Sequence, residues 1–415
     1  MMKLEKYSFG IGDRFGLQGK AQLQAIIKAK RIGINLMPVW NKSFREHQIV
    51  GTSPDDVRNE ADDTVKALNW PESYYVDADH IGLQNVDAFL EASDFFTLDV
   101  ADFTGRPASQ KDIKGFVDKY SQYAGTLEIP GITTGYEVSR SLIEQTARKF
   151  LLAIKEAARI YRRIEHVKGE DNFITEVSMD ETLEAQTPVE LFFILAAISH
   201  ENIPAQTIAP KFPGRFNKGV DYVGIPEQFK KEFRENLAVL SHAVREFDLP
   251  QNLKLSIHSG SDKFSIYKLI GRSLRKTGSG IHIKTAGTTW LEELIGLSES
   301  GDEGLAVAKE IYRLALDRKD ELCRPYVAVL DIDSSRLPSS DEVDTWDGPT
   351  YGASLRHNPS CELYNPHFRQ LLHVGFKIAA EMGDRYLKAL RANEETVSRH
   401  VCENLFERHI KRLFL

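Results

Sequence analysis

Eight short apolar or β-branched runs recur along this chain, each breaking off in polar or glycine-containing residues, with helical patterns between them. That alternation constrains the fold more than any other feature. The runs are Tyr7 to Phe9 ending in GIGDR, IGINLMPVW ending in NKSFREH, SYYVDADH, DFFTLDVAD, FITEVSMDE, AQTIAPKF, LKLSIHSGSDK and GIHIKTAGT. The segments AQLQAIIKAK, SPDDVRNEADDTVKALNW, TPVELFFILAAISH and IPEQFKKEFRENLAVLSHAVREF read as helices, two of them opening with Ser-Pro or Thr-Pro. Ser53 is the expected N-cap ahead of Pro54, because proline tolerates the first helical position and serine satisfies a free N–H. Strands alternating with helices imply βαβ units and a parallel sheet. About eight such units point to a closed (β/α)₈ barrel rather than an open sheet.

The expected organisation is one barrel domain over residues 1–415, with a helical insertion at about 103–170 after the fourth strand and a helical extension at about 321–415. In the insertion, Ile143, Ala147, Phe150, Leu151, Ile154, Ala158 and Tyr161 recur at helical spacing and should form a packed face. The 415 residues are 42% hydrophobic and 27% charged, the balance of a soluble globular chain. A net charge of -7 gives no general attraction to nucleic acid or anionic membrane. Cys323, Cys361 and Cys402 show no paired spacing, which fits a reducing cytoplasm and disfavours a cysteine-bound metal. No stretch has signal-peptide character or bilayer-spanning length. The expectation is a cytoplasmic protein acting on a small molecule; oligomeric state is left open.

In barrel enzymes the chemistry sits at the C-terminal ends of the strands. Here those ends carry Asp13 and Arg14; Ser43, Arg45, Glu46 and His47; Asp77, Asp79 and His80; Asp99 and Asp102; Glu176 and Asp180; Lys211; His258, Asp262 and Lys263; and His282 and Lys284. Strand side chains alternate faces, so Glu176, Ser178 and Asp180 share one face, as do His282 and Lys284. Charges inside a barrel must be paired or bound to a metal. Glu176, His258 and His282 together suit a divalent cation such as Mn, Fe, Co, Ni or Zn, with positions open to substrate. A buried network of ion pairs would satisfy the same groups. GIGDRFG lacks the Walker lysine and no Rossmann spacing follows it, so it reads as a tight strand-to-helix turn. KTAGTTWLEE could place an anion at a helix start, or simply be capped by Thr288 or Thr289. His367, Arg369 and His373 lie on a helical pattern, from which Arg369 or His373 could reach over the barrel mouth.

The stretches FGIGDRFG, SFREH, DADH, TLDVAD, EVSMDET, KGVDYVG, SIHSGSDKFS, HIKTAGT and RQLLHV occur in that order over nearly the whole chain. In them the sequence resembles the tagaturonate–fructuronate epimerase family. The resemblance implies a metal-dependent barrel interconverting D-tagaturonate and D-fructuronate. It implies that Glu176 and His258 hold the metal, with His282 the expected third ligand. It also implies that Ser43, Glu46 and Asp99 line the substrate pocket, making Glu46 or Asp99 the expected general base. Asp79 and Asp262 are expected beside the substrate, whose carboxylate would meet Arg14, Lys263, Lys284 or Lys211. Val100, Phe103 and His47 depart from the family pattern near this pocket. The alternatives are a metal-dependent sugar isomerase or aldolase on the same scaffold, and a barrel that binds a sugar acid without turnover.

Overall fold

The computed structural model describes residues 2–415. Eight parallel strands close into a barrel: β1 (Tyr7–Ile11), β2 (Met37–Ser43), β3 (Tyr75–Ile81), β4 (Phe95–Asp99), β5 (Ile174–Ser178), β6 (Thr207–Ala209), β7 (Lys254–Ile257) and β8 (Ile281–Lys284). Each strand pairs with its sequence neighbour, and β1 closes on β8 with Ser8 opposite His282 and Gly10 opposite Lys284. The expected (β/α)₈ architecture is therefore present, at all eight expected runs.

Local chemistry sets where the helices begin. Ser53 sits in the N-cap of the helix Pro54–Ala67, its N–H and hydroxyl bonded to Asp56 at 2.7 and 2.9 Å. Thr187 and Glu190 form a reciprocal capping box at the start of Pro188–His200. The GIGDRFG segment is the expected tight turn. The Asp13 carboxylate accepts the backbone N–H groups of Phe15, Gly16, Leu17 and Gln18 at 2.6–3.3 Å. Thr288 occupies the N-cap of the helix Thr289–Ser298 without a side-chain capping bond, and Thr289 accepts a hydrogen bond from Gln22 at 2.8 Å.

The fourth connection holds a helix (Gln110–Tyr120), a short antiparallel hairpin (Gly125–Leu127 with Tyr136–Val138) and the long helix Arg140–Lys168. The seven residues expected on its packed face are all buried. Between β3 and β4 a single 3₁₀ turn, Val86–Phe89, replaces the barrel helix. Beyond β8, the helix Glu394–Glu403 packs between the first and last barrel helices, Gly19–Arg31 and Thr289–Ser298. No helix among the described residues is long and apolar enough to cross a membrane.

The C-terminal segment is pinned to the β7 loop by buried polar groups. His409 accepts the Asp262 N–H through Nε2 at 3.0 Å, and its Nδ1 faces the Asn404 carbonyl at 2.9 Å. Both bonds are made together only by the neutral Nδ1–H tautomer. Burial is the main cause that lowers the His409 imidazole from 6.5 to about 4, against the pull of Asp262; Arg408 and Arg369 add to the lowering. The unfolded chain therefore takes up this proton first. The stability contributed by neutral His409 is full above pH 6.5 and is lost as pH falls through about 4. Its ceiling is on the order of 3 kcal/mol. Thermal melting is expected to fall across that window, and His409→Gln should flatten the dependence while lowering Tm at neutral pH. An unchanged slope in the variant would assign the acid sensitivity elsewhere.

Candidate functional site

At the C-terminal end of the barrel, β3 turns Asp77 and Asp79 inward and β8 sends Lys284 across to meet them. The Lys284 ammonium donates to Asp77 at 2.7 Å, Asp79 at 2.6 Å and the Thr97 hydroxyl at 2.6 Å, and lies 3.2 Å from Glu176. Gly10 makes the crossing possible: a Cβ there would sit 2.9 Å from the Lys284 Cα and 3.1 Å from its Cγ. Burial opposes every charge here. It pushes Asp77 up to about 7 despite Lys284. For Lys284 the three carboxylates overcome burial and hold the ammonium well above the ordinary lysine value.

Simple alternation would turn His80 away from the interior. Instead the β3–β4 register shifts between Ala78 and Ile81, and His80 has a left-handed φ of 55°. Such a bulge re-aims a side chain, and here it brings Asp79 and His80 to the same mouth. His80 Nδ1 lies 2.9 Å from Asp79, and its Nε2 points at Asp180 at 3.5 Å. From the end of β7, His258 Nε2 meets Glu176 at 2.7 Å while Nδ1 faces Asp180 at 3.1 Å. The two rings are 5.0 Å apart. His80 Nε2 and His258 Nδ1 are buried without a hydrogen-bond partner. One ligand atom from each of His80, Asp180 and His258 lies within 4.8 Å of the others.

This is a geometry in which a cation fits. Two imidazole nitrogens and a carboxylate converge, and each imidazole has its other nitrogen held by a carboxylate, Asp79 or Glu176; a cation bound there would displace the imidazole protons. That outer arrangement fixes ring orientation and raises ligand basicity. Asp77, Asp79 and Glu176 surround the Lys284 ammonium, and Asp180 lies between the two imidazoles. Burial works against the charged forms of His80 and His258. The carboxylates outweigh it, raising His258 to about 9 and His80 well above its ordinary value. Asp180, also opposed by burial, is held well below the usual carboxylate range by His258 and His80.

The ligand set expected from the sequence differs from this cluster in two members. Glu176 reaches His258 and Lys284 and braces the imidazole from behind. His282 lies one layer deeper, level with Ser8, its Nδ1 2.9 Å from the Ser8 hydroxyl and its ring 5.2 Å from that of Phe95. Burial lowers the His282 imidazole to about 3, and its Nε2 is buried without a hydrogen-bond partner. His80 and Asp180 join His258 in the cluster that could hold a cation.

The other expected residues divide. Arg14 and Glu46 line the cavity, joined at 3.2 Å, with Arg14 also donating to the Gly287 carbonyl. Burial pushes Glu46 up, but Arg14 and the Ser43 N–H more than compensate and leave it below its ordinary value. Ser43 is the N-cap of the helix Phe44–Val50, in a capping box with Glu46, and so is engaged in the fold. Asp79 lines the cavity but is held by Lys284 and His80. Asp99 is outside the lining and accepts the Ala101 N–H at 3.1 Å. Lys211 borders a neighbouring cavity and donates to the Thr182 carbonyl.

Asp262 and Lys263, expected beside the substrate, are engaged within the fold. Asp262, at a left-handed φ of 62°, is fully buried against Arg369 at 2.7 Å, with His357 and His409 beyond. Lys263 donates to the carbonyls of Asn217, Val220 and Ser261. The chain leaves β7 in a turn that aims Asp262 at the C-terminal helices and Lys263 at the backbone of the connection after β6.

The central cavity has a volume of about 110 Å³ and is walled by His80, Asp180, His258, Glu46, Arg14 and Lys284. It adjoins one of about 160 Å³, sharing Asp180, Glu181, His258 and Ser259 as its wall. His373, which the sequence placed near the mouth, does line it, while Arg369 one turn earlier is fully buried. Lys218, Asn41, Ser259 and Ser261 also line it, and the strand pattern gave no sign of them. A larger hollow of about 660 Å³, at the opposite end of the barrel, is lined by Leu253 and Gly280, which immediately precede β7 and β8, and holds no such cluster.

A family profile described as tagaturonate epimerase matches residues 1–413. The tagaturonate/fructuronate epimerase of Thermotoga maritima is 30% identical over 427 residues, covering 98% of this chain and 80% of that protein. Among solved structures, the glycerol complex of the fructuronate-tagaturonate epimerase of Cohnella laeviribosi superposes with a TM-score of 0.80 at 22% identity, covering 99% of this chain and 82% of that one. The native structure of the same enzyme gives a TM-score of 0.77 at 22% identity, with 100% and 82% covered. At that identity these structures speak to the fold.

Proposed function

The chain belongs to the tagaturonate epimerase family, and from that premise we propose that it interconverts D-tagaturonate and D-fructuronate with a divalent cation at His80, Asp180 and His258. It is an epimerase, in the isomerase class. The observation that carries the metal-dependent reading is the convergence of the His80 and His258 imidazoles on Asp180 inside a cavity that also holds Glu46.

The substrates' own chemistry narrows the route. Numbered as a 2-ketose, the C4 hydrogen is not adjacent to the carbonyl, so its removal gains no resonance. The C4 hydroxyl is β to that carbonyl, which makes C3–C4 an aldol bond. Glu46, ionised at neutral pH, takes the C4 hydroxyl proton. The C3–C4 pair moves into the C2 carbonyl, giving an enediolate and an aldehyde. The aldehyde turns its other face, C3 adds again, and the proton returns from Glu46 to the new C4 oxygen. A divalent cation held by the three ligands would supply Lewis-acid stabilisation of the charge developing on the keto oxygen. Arg14, bonded to Glu46, keeps that carboxylate oriented toward the cavity.

The test uses D-tagaturonate, with Mn, Co, Ni or Zn restored to stripped enzyme, in heavy water. D-fructuronate should form and retain its original hydrogen at C4 by NMR. Solvent deuterium at C4 would overturn the retro-aldol route, and no product with any metal would overturn the activity.

A further inference from the structure

A uronate brings a carboxylate into a cavity already rich in acids, so it needs a cation that the protein has not itself neutralised. Most cations near the mouth have partners. Arg14 is paired with Glu46, and Lys284 with Asp77 and Asp79. Lys42 and Lys263 donate to backbone carbonyls, as does Lys211, and Arg215 meets Asp331 at 2.8 Å.

Lys218 is different. It lines the cavity beside Arg14, Ser261 and His373 and is half-buried. Among the described residues its ammonium makes no hydrogen bond or ion pair; it lies 5.8 Å from the centre of the Tyr326 ring. Its backbone is nevertheless fixed. The Lys218 N–H donates to the Val329 carbonyl at 2.9 Å. Gly219 follows with φ of 74°, packed so closely that a Cβ would lie 3.2 Å from the His373 ring. A lysine with an anchored base and an uncommitted charge on a cavity wall is arranged for an anionic ligand. Tyr326 also carries the Arg45 guanidinium, 5.7 Å from the ring centre, so two cations flank one ring at the mouth.

We infer that Lys218 binds the substrate's carboxylate, with Arg45 adding positive potential at the rim. The inference rests on the uronate epimerase reading and deepens it. In the retro-aldol route the carboxylate belongs to the aldehyde fragment, the half that must turn over before re-addition. An ammonium suits that task, because its point charge retains the fragment through a swivel where a bidentate guanidinium would fix its plane.

The test compares wild type with Lys218→Met and Lys218→Arg in metal-loaded enzyme, by kinetics with D-tagaturonate and calorimetric binding of D-fructuronate. Lys218→Met should lose about 10- to 100-fold in kcat/KM, mostly as a raised KM, as expected for one charge-assisted contact. Its kcat/KM should also depend less on salt, and Lys218→Arg should restore affinity. Wild-type kinetics and salt dependence in Lys218→Met would overturn this subsite while leaving the epimerase reading intact. Binding without turnover in wild type, lost in Lys218→Met, would support the subsite and overturn the epimerase reading. Wild type that neither binds nor converts the uronate would overturn both.

Discussion

His80→Ala is expected to lower turnover by at least about 10³-fold and to release the bound divalent cation, with the fold retained. Metal catalysis needs the ion itself, and an outer-shell change alone commonly costs 10- to 100-fold in affinity or activity; deleting one of the three proposed ligands should exceed that. The fold should survive because His80 is at a strand end, only partly buried, and takes part in no hydrophobic packing that a cavity would disrupt. His282→Ala is the informative contrast. It removes a fully buried ring from against Phe95 and leaves Ser8 without its partner, so Tm should fall while metal content stays at wild-type level. Elemental analysis of both purified variants, beside their melting curves, separates the two ligand sets. Metal lost from His282→Ala and kept by His80→Ala would restore the set expected from the sequence.

That contrast also shows what a one-dimensional pattern carries. Alternation identifies which residues point into a barrel, and it correctly put Glu176, His282 and Lys284 inside. It says nothing about depth. His282 and Lys284 share a face, but only the pairing of β8 with β1 shows His282 level with Ser8, a layer below Lys284. His80 fails for the opposite reason. The register shift and left-handed residue that turn it inward break the alternation itself, and no residue type in VDADHI announces a bulge. Asp180 was legible because it continues the parity of Glu176 beyond the strand.

Contacts across long sequence separations were out of reach. Asp262 looked like a pocket acid because it follows His258 so closely. Its partner, Arg369, lies 107 residues away and is brought near by packing of the C-terminal helices. Lys218 sits in a connection with no periodicity, and what distinguishes it is the absence of an ionic partner. The fold itself was readable because its information is local: apolar runs, caps and turn residues repeat in each unit. The missing helix between β3 and β4 fits the same account, since those strands are joined by too few residues for an ordinary barrel helix.

Glu46→Gln is expected to reduce kcat by about 10²- to 10⁴-fold, the usual contribution of a positioned general base, with little change in Tm. The choice of Glu46 follows from what the other acids are doing. Asp79 is held between Lys284 and His80, Asp180 lies between two imidazoles, and Glu181 is exposed. Glu46 directs one oxygen to Arg14 and the other to the Ser43 N–H, in a cavity wall, with its value lowered so that it is ionised and ready to accept a proton. Glutamine keeps the size and an acceptor for the Ser43 N–H, so the helix Phe44–Val50 should still start correctly. It removes the charge and the capacity to take a proton. Asp99→Asn supplies the comparison, because Asp99 lies outside the lining and accepts a backbone N–H; its kcat should stay within a few-fold of wild type. Steady-state kinetics of the two variants, with metal content verified, assigns the base. A large loss confined to Asp99→Asn would move the role to that carboxylate and leave Glu46 as the cap of its helix.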